Sequence, residues 1–205
     1  SFIVMRILQI CHKPPLPSLD GGCRAMDAMT RGLLQAGHSV KVLTACTEKH
    51  PWQPELIAPH WLEETNAEAV FIDTRLNKVD AFSSLVTGDS YNISRFHSTD
   101  LEKGLTHILR TSVFDLILFE SLFTAPYLKT VRRYSDGLTI LRAHNVEHRI
   151  WQHLADETPQ FTRKMYLNWL AEKLEKYEIS VLSDFDGIVA ISAEDLANFR
   201  ELGCE

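Results

Sequence analysis

Short apolar runs alternate along this chain with longer stretches whose apolar residues recur every three or four positions. The runs at Ile7-Leu8-Gln9-Ile10, Val40-Lys41-Val42-Leu43-Thr44, Ala69-Val70-Phe71-Ile72, Phe114 to Phe119, Thr139 to Ala143 and Gly187 to Ile191 read as strands. Residues 22–36 carry Met26, Met29, Leu33 and Ala36 on one helical face, and Gly37 stops that helix. Thr99-Asp100-Leu101-Glu102 has the form of a capping box and opens a helix striped by Leu101, Leu105, Ile108 and Leu109. A helix is predicted from Ala125 to Tyr134. A longer one begins at Thr158-Pro159, with Pro in its first turn and Met165, Trp169 or Leu170, Leu174 and Tyr177 facing inward. Ser192, ahead of Ala193-Glu194-Asp195, reads as the N-cap of the last helix. Alternation of this kind predicts an α/β fold, a Rossmann-like doubly wound parallel sheet flanked by helices and joined by right-handed crossovers.

The pattern weakens between Thr47 and Asp100, where Pro51, Pro54 and Pro59 interrupt it. The aromatics Trp52, Trp61 and Phe82 in that stretch are expected to pack against the sheet, with the lining of an acceptor groove as the alternative.

With 205 residues the chain is long enough to bury a substantial core. Its net charge of −6 argues against a nucleic-acid partner, since phosphate-binding surfaces carry a basic excess. The local basic cluster Lys129-Thr130-Val131-Arg132-Arg133 reads as a solvated helix end. The four cysteines, Cys11, Cys23, Cys46 and Cys204, form no C-x-x-C pair, which removes zinc-knuckle and thioredoxin readings. Cys11 and Cys46 end the first two strands and as such could be neighbours, with buried, reduced thiols the expectation. The opening apolar segment is broken by Arg6 and is too short for a signal peptide or membrane span. A cytoplasmic location follows as the expectation, with peripheral contact at the inner membrane face left open.

Candidate chemistry concentrates where strands end, the edge at which open α/β sheets bind ligands. The strand at Thr139–Ala143 runs into His144-Asn145-Val146-Glu147-His148. His144 is the sharpest candidate, because an imidazole there can accept or donate a hydrogen bond near neutral pH. Glu120, ending the preceding strand, is a general base or a ligand for a sugar hydroxyl, or else a structural acceptor. Gly21-Gly22, between the first strand and the first helix, let the backbone approach a ligand, and the helix N-terminus behind them favours an anion. Neither G-x-G-x-x-G nor G-x-x-x-x-G-K-[ST] is present, so the dinucleotide fingerprint and the P-loop are excluded. His144 and His148 flank Glu147 in the wrong order for a helical zinc motif, and no metal is expected.

Taken together and in order, several segments resemble the N-terminal domain of family-4 glycosyltransferases with the GT-B fold. They are Met5-Arg6-Ile7-Leu8-Gln9-Ile10, the Gly21-Gly22 loop, Ala36-Gly37-His38-Ser39-Val40, Phe114-Asp115-Leu116-Ile117, Arg142-Ala143-His144-Asn145-Val146-Glu147 and Asp184-Phe185-Asp186-Gly187-Ile188-Val189-Ala190-Ile191-Ser192. The resemblance implies transfer of a sugar, with retention, from a nucleotide-sugar donor to a glycan, lipid or small-molecule acceptor, without metal or other cofactor. It matches Gly21 and Gly22 to the loop near the donor diphosphate and His144 to the family's active-site histidine. Asn145, Glu147 and Glu120 stand as further acceptor or sugar contacts without a role carried over. The family's donor-binding C-terminal domain, with its Glu-x7-Glu motif, is not represented in residues 1–205. Glu55 and Glu63 share that spacing by chance, in a Pro-broken segment. Residues 1–205 are therefore expected to form a single acceptor-side domain whose partner is its own C-terminal domain. The alternatives are another sugar-nucleotide enzyme of GT-B-like architecture, such as an epimerase, or a non-catalytic sugar- or nucleotide-binding module.

Overall fold

Six apolar runs become parallel strands in the computed structural model, which describes residues 3–74 and 97–204. They are β1 (Arg6–Cys11), β2 (Ser39–Cys46), β3 (Glu68–Phe71), β4 (Leu116–Glu120), β5 (Leu138–Ala143) and β6 (Gly187–Ala190). Their order across the sheet is β3-β2-β1-β4-β5-β6. β1 is central and buried along all but its first residue, as a strand covered on both faces must be. Ile7 lies opposite Val40 on one side and Leu116 on the other.

The helices are α1 (Gly21–Gln35), α2 (Pro59–Thr65), α3 (Thr99–Thr111), α4 (Leu128–Tyr134), α5 (Glu147–Asp156), α6 (Phe161–Leu182) and α7 (Ala193–Glu201). Alternate residues of β1 serve the two layers. Ile7 and Cys11 join Met26 of α1 and Trp61 of α2 in one core. Leu8 and Ile10 join the stripe of α3, Val131 of α4, Leu174 of α6 and Phe199 of α7 in the other. Trp61 is buried and Trp52, partly buried, packs against the same core, so these aromatics serve the sheet. Phe82 lies outside the described residues.

Several boundaries differ from the sequence reading, each for a local reason. Gly37 stops α1 in a left-handed conformation (φ 87°), but Ala36 caps the helix on its exposed side, while Met26 is buried and Met29 and Leu33 pack against the same core. Ser98, not Thr99, caps α3: its Oγ accepts from the Leu101 N–H at 3.3 Å. Glu102, expected to reach back to the cap, instead accepts from Thr130 Oγ1 at 2.6 Å. Leu122–Tyr127 forms a 3-10 helix ahead of α4. Thr158 closes α5, donating its N–H to Ala155 and its hydroxyl to Leu154, so α6 starts only at Phe161. Met165 is 57% exposed, and the inward face of α6 is Leu167, Leu170, Leu174 and Glu178. Cys11 lies opposite Thr44, not Cys46; both thiols are free and buried. No helix among the described residues is long and apolar enough to cross a membrane.

Candidate functional site

The sheet reverses its winding between β1 and β4, and a crevice opens beyond the carboxyl ends of strands at such a switch point. His12 and Lys13 follow β1, Ser121 follows β4, and His144 and Asn145 follow β5. With Asp20, Gly21 and Gly22 at the start of α1 and Glu147 at the start of α5, they line a cleft of about 550 Å³.

Glu120 is the anchor beneath this cleft. It is fully buried, so its place is behind the wall and not on the rim. Arg142 Nη1 donates to both carboxylate oxygens at 3.1 Å, Gln9 Nε2 to Oε1 at 2.9 Å, and His144 Nε2 lies 2.7 Å from Oε2. Thr30 donates to Gln9 Oε1 at 2.6 Å, and Arg142 also donates to the Ala25 carbonyl, so the network ties α1 to β1, β4 and β5. A buried carboxylate and guanidinium are tolerated only with partners this complete. Among the described residues, the four hydrogen bonds at the Glu120 carboxylate come from side chains, not from backbone N–H groups.

That geometry sets the tautomer of His144. With Nε2–H donating to Glu120, Nδ1 of the neutral ring carries the lone pair. A second imidazole, His12, meets His144 edge-on with ring centroids 5.5 Å apart. His12 Nδ1 lies 3.2 Å from the Glu120 carbonyl oxygen. Burial, followed by the neighbouring His144 and Lys13, depresses His12 well below the usual imidazole range and keeps it neutral.

Gly21 and Gly22 open α1 itself, so they belong to its first turn and not to a loop ahead of it. Neither is among the left-handed glycines, Gly37 and Gly203. A Cβ at Gly21 would meet nothing within 4 Å, whereas one at Gly22 would lie 2.9 Å from Lys13 Nζ. Asp20 caps the helix through the Cys23 N–H, and its carboxylate also takes Lys13 at 2.7 and 2.8 Å and His50 Nε2 at 2.9 Å. Burial works to raise the Asp20 pKa, but these hydrogen bonds outweigh it and hold the carboxyl well below its ordinary range. Asp20, Cys23 and His50 also bring a carboxylate oxygen, a thiol and an imidazole nitrogen within 4.8 Å of one another. The carboxylate is already saturated, so a cation would have to displace the Lys13 ammonium. The group is a salt-bridged helix cap.

Ser121 holds φ 80° and ψ 150° on the cleft wall, a conformation that costs a non-glycine residue about 1–3 kcal/mol. Its N–H donates to the Arg142 carbonyl at 2.9 Å, and its Oγ accepts from the Phe123 N–H. The strain is thus locked between β5 and the following 3-10 helix.

The start of α5 lacks a capping side chain of its own, since Val146 occupies the cap position. Glu178 of α6 substitutes: its oxygens accept from the Glu147 N–H at 3.1 Å, the His148 N–H at 3.3 Å and His148 Nδ1 at 2.7 Å. His148 therefore faces α6, away from His144. Glu178→Ala strands three buried polar groups and should cost about 2–4 kcal/mol, at about 1–3 for each unsatisfied group less relaxation. Urea unfolding checks this, and a loss below about 0.5 kcal/mol would mean that solvent caps the helix equally well.

Sequence reasoning missed His12, Lys13, Asp20, Ser121, His50 and the anchoring part played by Arg142. Asp20 carried a readable signal, an Asp directly before a helix start. His12 and Lys13 are the polar pair that ends the first apolar run. His50 had none, because its loop reaches Asp20 only through the folded sheet.

No protein-family model and no curated protein sequence matches this chain. Among solved structures it is similar to that of Phytolacca americana UGT2 complexed with UDP-2fluoro-glucose and pterostilbene. The TM-score is 0.50 at 11% identity, over 96% of this chain and 50% of that one. The likeness is one of fold, an open parallel α/β sheet flanked by helices. The chain spans about half the length of that structure.

Proposed function

We propose that this chain is the acceptor-side half of a glycosyltransferase that moves a sugar from a nucleotide-sugar donor to an acceptor hydroxyl. The observation that carries the reading is the His144–Glu120 pair, 2.7 Å apart, behind a cleft at the sheet's switch point. His144 Nδ1 accepts a hydrogen bond from a hydroxyl of the sugar being transferred, and Glu120 fixes the ring and stabilises positive charge developing on it. The N-terminal turn of α1, open at Gly21, receives the donor diphosphate. In the transfer, the bond from the anomeric carbon to phosphate oxygen breaks, the bond to the acceptor oxygen forms, and the departing nucleoside diphosphate takes up the acceptor hydroxyl's proton. Family-4 resemblance favours retention of configuration, and NMR of the first product reads it directly. The similar solved structure, with its UDP-sugar analogue and small-molecule acceptor, agrees with this kind of ligand pair.

The test is product analysis with the whole protein and a panel of nucleotide sugars. A new glycosidic bond supports the proposal, an altered free sugar nucleotide makes the protein an epimerase-type enzyme, and donor binding without turnover makes it a binding module. Gly22→Val should raise the donor KM by about tenfold or more, because the branched side chain must push Lys13 off Asp20 and fills the turn meant for phosphate. Unchanged donor kinetics in a folded variant would make Gly22 a plain helix start.

A further inference from the structure

We propose that Glu147 presents a protonated carboxyl to the cleft, where it donates a hydrogen bond to a phosphate oxygen of the nucleotide sugar. Binding of that anion is thereby coupled to a proton held by this residue. The inference rests on the nucleotide-sugar reading given above and adds to it a recognition residue and a pH dependence.

The geometry begins with position. Glu147 is the first residue of α5, only 7% exposed, and lines the same cleft as Gly21, Gly22 and His144. Directly behind it stands a second buried carboxylate, Glu178 of α6, which is 1% exposed. Glu178 cannot turn aside, because the Glu147 and His148 N–H groups and the His148 ring occupy both its oxygens. Two carboxyl groups in one buried site do not both ionise easily, and Glu147 is the less well served of the two, with one side-chain donor, Asn145, against the three donors on Glu178. Each element packed around Glu147 contributes a charge or dipole. Glu178 from α6 and Asp195 from α7 oppose its ionisation, while Asn145 beside it and Lys13 from the end of β1 favour it. Burial is the largest influence and Glu178 the next, and together they push Glu147 up to about 7. An ionised Glu147 would set a negative charge against a diphosphate lying on the α1 turn. The protonated acid instead offers an O–H donor, which a phosphate oxygen accepts.

Two measurements on the full protein test this. Difference infrared spectroscopy of wild type minus Glu147→Gln isolates the carbonyl band of the protonated acid. That band should disappear with a midpoint near 7, and a midpoint in the ordinary carboxylate range overturns the proposal. Titration calorimetry with UDP-glucose and with GDP-mannose, whose diphosphates do not titrate in this interval, is then compared at about pH 6 and about pH 8.5. If only the protonated form binds, wild-type affinity falls by up to about thirty-fold between them. Glu147→Gln keeps a neutral donor, so that fall should vanish in the variant. His12, His50 and Lys13 are common to both proteins, so the difference between the two pH slopes belongs to Glu147. Equal slopes in wild type and variant overturn the inference and leave the nucleotide-sugar reading standing. If neither probe binds at either pH, the nucleotide-sugar reading falls and takes the inference with it.

Discussion

Glu120→Ala should destabilise the folded protein by about 3–5 kcal/mol, the usual cost of removing one member of a buried ion pair. Arg142 supplies the reason. The residue is 9% exposed, and its guanidinium spends its Nη1 contacts on Glu120 and the Ala25 carbonyl. Without the carboxylate, the buried positive charge keeps only the Ala25 carbonyl and has no counter-charge among the described residues, and Gln9 and His144 each lose an acceptor as well. Glu120→Gln keeps the shape but not the charge, and should recover only part of the loss. Urea unfolding with an unchanged m-value is the measurement. A cost below about 1 kcal/mol for Glu120→Ala would show that solvent reaches Arg142 and that the network is not closed.

His144→Ala should have the opposite signature: turnover of the whole protein down about 10²- to 10³-fold, with a nearly unchanged melting temperature. His144 sits on the cleft side of the network, so its loss leaves Arg142 and Gln9 still holding Glu120. The fold keeps its anchor and loses the group that faces the sugar. If His144 served only to position Asn145 and the start of α5, the melt would fall and turnover per folded molecule would not. Near-normal turnover excludes the catalytic role.

The sheet was legible because its inner strands β1, β2, β4 and β5 are largely buried and read as mainly apolar runs. The carboxyl-edge location of His144, Asn145 and Glu147 followed from where those runs stop. Other features were not legible, because they depend on contacts between residues far apart in sequence. Nothing around Glu120 indicates that Arg142 and Gln9 will enclose it, so its side chain read as a rim group when it is a buried support. Nothing near Val146 indicates that Glu178, from a later helix, will cap α5. The inward face of α6 was blurred because Phe161, Met165 and Tyr166 lie exposed while Leu167, Leu170 and Leu174 are buried. Apolar residues on several sides of one helix leave its period without a single direction.

The Glu120 network also says when in folding the cleft comes into being. Its contacts join residues far apart in the chain: Gln9 with Glu120 across 111 positions, and Arg142 with Ala25 across 117. Closing loops of that size costs chain entropy before any contact rewards it. Helices such as α3 and the α5–α6 pair can form from local contacts, but the closed network beneath the cleft, with Gln9 on Glu120, cannot precede the meeting of β1 with β4. On refolding, helical signal should therefore return ahead of ligand binding, and a chain stalled before that central pairing would be largely helical yet have no site.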